Sequence, residues 1–173
     1  IELTTFSIAE VEDITKLWVQ GGFPRSYLAS STASYRWRKS YITTFLERDI
    51  PALGYNIPPM LMRKLWMMLA HYHGQVLNAS EIGKSLSISY HTVQKYMDIL
   101  AGTFMIRLLM PWFENISKRQ VKSPKLYVRD SGLLHALVDI RDEKQLHLHP
   151  KIGPSWEGFA LEEIIKERHA APE

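Results

Sequence analysis

Asn78-Ala79-Ser80-Glu81-Ile82-Gly83-Lys84-Ser85-Leu86-Ser87-Ile88-Ser89-Tyr90-His91-Thr92-Val93-Gln94-Lys95-Tyr96-Met97-Asp98-Ile99-Leu100 is the stretch whose reading decides the fold. A short helix is predicted from about Ala79 to Leu86, capped by Asn78 or Ser80. Ser85 to Ser89 then make a tight turn, because hydroxyl side chains favour caps and turns over helix interiors. Ser89 caps a longer helix running to about Leu100, with Gly102 as its stop. In that second helix Val93, Met97 (or Tyr96) and Leu100 recur at helical spacing and point inward. His91, Gln94, Lys95 and Asp98 point outward, and Tyr90 and Thr92 lie near the N-terminal end.

The flanks extend this pattern. Upstream, Pro59 is well placed as a first-turn proline. Leu61, Leu65, Met68, Leu69 and Tyr72 define the face of a helix that Gly74 ends. Downstream the period changes from helical to extended. Met105, Ile106, Leu108, Leu109, Trp112 and Phe113 form one apolar run, Lys125 to Val128 another, and a basic loop from Glu114 to Ser123 separates them. Helix, short helix, turn, longer helix and a hairpin with a basic tip is the order of a winged helix-turn-helix.

Further out, Ile8, Val11, Ile14, Leu17 and Trp18 predict an amphipathic helix over 8–20, stopped by Gly21-Gly22 and Pro24. A second helix is predicted from about Thr32 to Arg48, and Pro51, Gly54 and Pro58-Pro59 punctuate a connector. Beyond the hairpin, helices are predicted at about Ser131 to Val138 and Ser155 to His169. In the last one Trp156, Phe159, Ala160, Leu161, Ile164 and Ile165 cover a wide arc that wants apolar cover. The expectation is a protein partner or self-association through this helix. The predicted fold class is mainly α with a small β wing, a winged helix-turn-helix flanked by helical segments.

The chain has 173 residues, of which 46% are hydrophobic and 23% charged, the proportions of a globular protein. It contains no cysteine, which excludes a disulfide scaffold, a thiolate metal site and a cysteine nucleophile. Leu65 to Ala70, the most apolar run, is too short to cross a bilayer. The sequence starts at Ile1 with no signal-peptide pattern, so no membrane association and a cytoplasmic location are expected. The net charge of +3 is unevenly spread: zero over 1–57, +2 over 58–104, +4 over 105–130 and −3 over 131–173. Arg107, Lys118, Arg119, Lys122, Lys125 and Arg129 account for the basic stretch. A cluster of this kind is the electrostatic footprint of a phosphate contact.

A recognition helix places its outward residues against base edges in the major groove, and glutamine is suited to adenine. The candidate nucleic-acid-binding residues are therefore Tyr90, His91, Thr92, Gln94, Lys95, Lys118, Arg119, Lys122 and Lys125, with the lysines and arginine on phosphates. Other constellations are weaker. His71 and His73 sit about 200° apart on a helix and cannot share a metal, and His147 with His149 supplies too few ligands for zinc. Glu47 and Asp49, beside Arg48 and Pro51, read as a helix end. Arg25 follows the Gly21-Gly22-Phe23-Pro24 turn and reads as a surface residue, with a nucleotide contact as the alternative. Trp66, Trp112 and Trp156 read as core anchors. No serine has the context of a nucleophile elbow.

Gly21-Gly22-Phe23-Pro24, Tyr27-Leu28 and Tyr41 to Pro51 resemble the stretch that follows the nucleotide-binding core in predicted prokaryotic AAA+ ATPases. So do Asn78-Ala79-Ser80, Thr92-Val93, Tyr96, Asn115, Lys118-Arg119, Val121 to Tyr127, Asp130 to Leu133, His149-Pro150, Gly153 and Trp156 to Phe159. The resemblance covers nearly the whole chain. It implies an ATPase lid or linker segment at 1–57, the winged helix-turn-helix at 58–130, and at 131–173 the helical start of an incomplete C-terminal domain similar to the restriction-endonuclease fold. Glu157 would lie on that domain's first helix. No Gly-x-x-x-x-Gly-Lys-Ser/Thr loop is present, and the later Asp and Glu-x-Lys of a nuclease are missing. The expectation is a non-enzymatic, DNA-binding accessory region with no cofactor of its own, ATP and Mg²⁺ belonging to the ATPase domain. The alternatives are a docking module joining an ATPase to an effector, and a metal-dependent cryptic nuclease.

Overall fold

The computed structural model describes residues 4–111 and 124–168. The chain is mainly α with one three-stranded antiparallel sheet. It divides into two compact units, residues 57–128 and residues 1–56 taken together with 129–173. The three-part division expected from the sequence therefore takes another form: the middle segment stands as a unit, and the two outer segments fold with each other.

In the unit 57–128, α5 (Pro59–His71) is followed by β1 (Gln75–Val76), α6 (Ala79–Leu86), α7 (Tyr90–Gly102), β2 (Ile106–Leu109) and β3 (Lys125–Val128). Leu65, Trp66, Leu69, Ile82, Val93, Met97, Leu100, Ile106 and Leu126 are fully or nearly fully buried. The helical ones come from the faces that the 3.6-residue period marks out, and Ile106 and Leu126 come from β2 and β3. β3 is the central strand, pairing with β2 over Ile106↔Val128 to Leu109↔Lys125 and with β1 at Gln75↔Leu126 and Val76↔Lys125. The two-residue β1 carries no strand signal of its own. Gly74, with φ at +76°, turns the chain so that its N–H donates to Leu126 O at 2.8 Å. The buried ring of His73 accepts the Val128 N–H at Nδ1, 2.9 Å away, so it is a core residue.

In the other unit, α1 (Ile14–Gln20), α2 (Pro24–Tyr27), α3 (Ser31–Thr44) and α4 (Ile50–Ala52) join α8 (Ser131–Leu137), α9 (Glu143–His147) and α10 (Ile152–Arg168). Leu17, Trp18 and Val19 of α1 form one core with Ile140, Leu146 and Phe159. Three consecutive buried residues on a two-turn helix need cover from more than one side, and α8 and α10 supply it. The helix predicted over 8–20 is broken. Ser7 and Glu10 make a reciprocal capping box around a 3-10 turn, and Asp13 restarts the helix by accepting the Lys16 N–H at 2.8 Å. The helix predicted to end near Arg48 instead runs on past Pro51. A π turn over Phe45–Asp49, in which the Ile50 N–H reaches Phe45 O, precedes the proline. The wider turn relieves the clash that a proline ring makes with the carbonyl four residues back.

Gly21, Gly22, Asp130 and Gly132 meet in this unit. The Asp130 carboxylate caps α8 through the Leu133 N–H and also accepts the Gly22 N–H, both at 2.8 Å. Gly21, at φ +79°, faces that carboxylate so closely that a Cβ would collide with it, and Gly132 lies against the backbone of Gln20. Arg38, fully buried, donates to Val19 O at 3.3 Å and Gly132 O at 2.9 Å. Burial lowers the Arg38 guanidinium to about 10, against the opposing pull of Asp130. The same burial raises the Asp130 carboxyl above the usual carboxylate range despite its two N–H donors. His135 and Ser155 close the network. His135 Nδ1 lies 2.9 Å from Val19 O and Nε2 2.7 Å from Ser155 Oγ, to which the Trp18 indole donates at 3.0 Å.

α10 does not follow the arc predicted for it. It begins at Ile152 and buries Ser155, Gly158, Phe159, Glu162 and Glu163, leaving Trp156 48% and Ile164 51% exposed. The two carboxylates are tolerated inside because Arg129 reaches Glu162 at 3.1 Å and Lys166 reaches Glu163 at 2.6 Å. Trp156 is thus not the core anchor expected. It leans on the Trp18 and Phe159 rings and keeps half its surface outside. Trp66 is fully buried, and Trp112 lies outside the described residues. Among the described residues no helix is long and apolar enough to cross a membrane.

Candidate nucleic-acid interface

Two helices, joined by the turn Ser87 to Ser89, shape the site. Asn78 caps α6 by accepting the Glu81 N–H at 3.2 Å, and Ser89 caps α7 by accepting the Thr92 N–H at 3.1 Å. Each cap satisfies one orphan donor of a helix start. α6 closes on Ser87 in the left-handed conformation, φ +55°, and the Ile88 N–H returns to Gly83 O at 3.0 Å. Gly83 is buried where a Cβ would stand 2.9 Å from Ile88 O and 3.5 Å from Val93 Cγ2. The missing side chain lets α6 and the turn approach closely. Ile82, Val93, Tyr96, Met97 and Leu100 then lock the helix pair from within.

What remains outside is the face expected from the sequence. Tyr90, 50% exposed, meets the His91 ring edge to face at 5.7 Å. Lys95 and Asp98 are exposed and Thr92 and Gln94 half-buried. The Thr92 hydroxyl lies 2.9 Å from Ser89 Oγ, so this side chain serves the cap. Gln94 Nε2 donates to Asp98 Oδ1 at 3.0 Å, an i,i+4 pair on the outward face. Such pairs add about 0.2–0.5 kcal/mol to a helix. The spacing makes this pairing legible in the sequence, which places Asp98 only among the outward residues. Lys84, exposed in the last turn of α6, is a further cation on the helix pair that the motif reading passes over. Lys125 sits half-buried on β3, opposite Val76 and Leu109. Lys118, Arg119 and Lys122 lie outside the described residues, as does the hairpin tip that would carry them.

The unit containing this face is strongly basic. Residues 57–128 hold nine Lys and Arg against three Asp and Glu, a net of +6, while the rest of the chain carries −3. The other constellations stay apart. His71 is exposed and His73 buried. His147 pairs with Glu143 at 3.5 Å, and His149 accepts the Lys151 N–H. Asp49 is bound by its neighbour Arg48 at 2.8 Å within the π turn that also holds Glu47. Arg25 is exposed on α2, and Glu157 is exposed on α10. No three His, Cys, Asp or Glu side chains among the described residues are grouped to hold a metal ion.

These features define a mainly helical protein with a small sheet, in which two capped helices joined by a short turn lie in a basic unit. The chain belongs to the family described as Domain of unknown function (DUF8612), whose model matches residues 11–144. It is also 48% identical over 170 residues to Uncharacterized protein Rv2008c of Mycobacterium tuberculosis and, at the same identity, to Uncharacterized protein Mb2031c of Mycobacterium bovis. Each alignment covers 95% of this chain but 38% of the relative, so the chain spans well under half the length of the curated relatives it matches. No solved structure matches the chain.

Proposed function

We propose that residues 57–128 form a winged helix that binds duplex DNA, as a non-catalytic accessory region of a longer cytoplasmic protein. The observation that carries this reading is the coincidence of the exposed N-terminal face of α7 with the one strongly basic unit of the chain. α7 is the reading element, through Tyr90, His91, Gln94 and Lys95, and the β2–β3 connection is the wing. Lys95, Lys118, Arg119, Lys122 and Lys125 hold phosphates, a role that positions the protein without reading sequence. The family resemblance supports an AAA+ ATPase elsewhere in the full-length protein, and ATP and Mg²⁺ would belong to that part.

Fluorescence anisotropy with a short labelled duplex across a salt series tests this. Removing one cation from a phosphate reduces the log–log salt slope by about 0.9. The expected result is a shallower slope by roughly one for Lys95→Ala and by about two to three for the combined Lys118→Ala, Arg119→Ala and Lys122→Ala variant. Absence of binding at low salt refutes the reading. A second reading, a docking module between an ATPase and an effector, is favoured by the exposed apolar pair Trp156 and Ile164 on α10. It predicts partner binding or self-association that the wing substitutions leave intact and Trp156→Ser weakens.

A further inference from the structure

The Gln94–Asp98 pair restricts what α7 can read. A carboxylate only accepts hydrogen bonds, so the 3.0 Å contact obliges Gln94 to turn its Nε2 end toward Asp98. One N–H is then engaged, and the amide retains one N–H and the Oε1 acceptor. In the major groove adenine presents N7 as acceptor and N6–H as donor, which matches that remaining pair. Guanine presents two acceptors, N7 and O6. An amide held in this orientation sets Oε1 against one of them, and Asp98 resists the rotation that would offer both N–H groups instead. Gln94 is half-buried and Asp98 exposed on the same outward face as Tyr90, His91 and Lys95.

We infer that Asp98 is a positioning residue for Gln94, and that together they make α7 select an A·T base pair, with adenine preferred over guanine, at one position of its site. The inference rests on the duplex-DNA reading given above. It also accounts for an acidic side chain on a face that otherwise meets a polyanion: its charge is exchanged for a fixed amide.

Selection from a random-duplex library with the 173-residue chain, followed by anisotropy on the selected site and its adenine-to-guanine variant, tests it. The expected result is one position where wild type prefers adenine about 5- to 150-fold, the range of a good bidentate contact, and where Gln94→Ala removes the preference. Asp98→Ala removes the acceptor, whereas Asp98→Glu keeps a carboxylate that can only accept from Gln94. Asp98→Glu therefore retains the adenine preference and Asp98→Ala reduces it by about 1.4- to 2.3-fold, the weight of an i,i+4 pair of this kind. Equal preference in the two Asp98 variants overturns the inference, because a pair that served only the helix would leave base choice untouched. Binding with no adenine position sensitive to Gln94 also overturns it while leaving the DNA reading standing. Absence of any binding at low salt removes both.

Discussion

Gly132→Ala probes how the two outer segments become one unit. Gly132 stands in the first turn of α8, and a Cβ there would lie 2.7 Å from Gly21 N, 2.5 Å from Gln20 C and closer still to Gln20 O. Ordinary contact begins at 3.4 Å, and all three atoms belong to backbone, so no side chain can swing away. α8 and the end of α1 must separate by about 1.3 Å, the shortfall of the closest of these contacts. Overpacking of this kind costs about 1–3 kcal/mol. The separation also stretches the Arg38 bond to Gly132 O and the Asp130 bond to the Gly22 N–H, at about 0.5–1.5 kcal/mol each. Against this, alanine gains at most about 1 kcal/mol of helix propensity over glycine. The expected net loss is about 2–4 kcal/mol, or a urea midpoint lower by about 1–2 M at an ordinary m-value. Urea unfolding followed by tryptophan fluorescence reads the effect. Gly102→Ala is the control, since a Cβ at this last residue of α7 meets nothing within 4 Å. A Gly132→Ala midpoint equal to wild type would show that α1 and α8 pack more loosely than these distances require, and the reasoning would fail.

Asp130→Asn changes the pH dependence of stability. Burial raises the Asp130 carboxyl in the folded chain above its unfolded value of about 4, so the folded state binds its proton more tightly. Its favourable contribution is fully present below the unfolded value and is lost as pH rises through the raised folded one. Urea midpoints measured across that range are expected to fall with rising pH in wild type and to vary less in Asp130→Asn; parallel profiles would count against the assignment. Ser89→Ala removes the acceptor for the Thr92 N–H and is expected to cost about 0.5–2 kcal/mol. Amide exchange at Thr92 should accelerate well beyond that at Leu100 deep in α7; equal changes at both would mean the cap does not act locally.

The structure departs from the sequence reading where distant residues decide the outcome. β1 exists because Gly74 and Leu77 donate to Leu126 and Pro124, and two residues without alternation carry no such signal. α9 is a single capped turn, opened by Asp142 accepting the Gln145 N–H, and its five residues are too few to establish a period. α10 reads as a helix correctly, but the wide apolar arc does not say which side turns in. Its apolar residues spread over the circumference, so the partners Arg129 and Lys166, and not the pattern, choose which side turns in. On α7 the outward position of Tyr90, His91, Gln94 and Lys95 is legible because the inward period of the helix is unmistakable.

The sequence by itself determined α6, the turn and α7, because caps, hydroxyl-rich turns and a 3.6-residue period act over a few neighbouring residues. It likewise determined the concentration of positive charge in the middle of the chain. Only the tertiary structure decided that residues 1–56 and 129–173 make one unit, since the Asp130–Gly22 bond joins positions 108 residues apart. It alone turned Glu162 and Glu163 inward and Trp156 outward. Burial of a charge depends on a partner that chain folding delivers, and no local pattern announces where that partner will be.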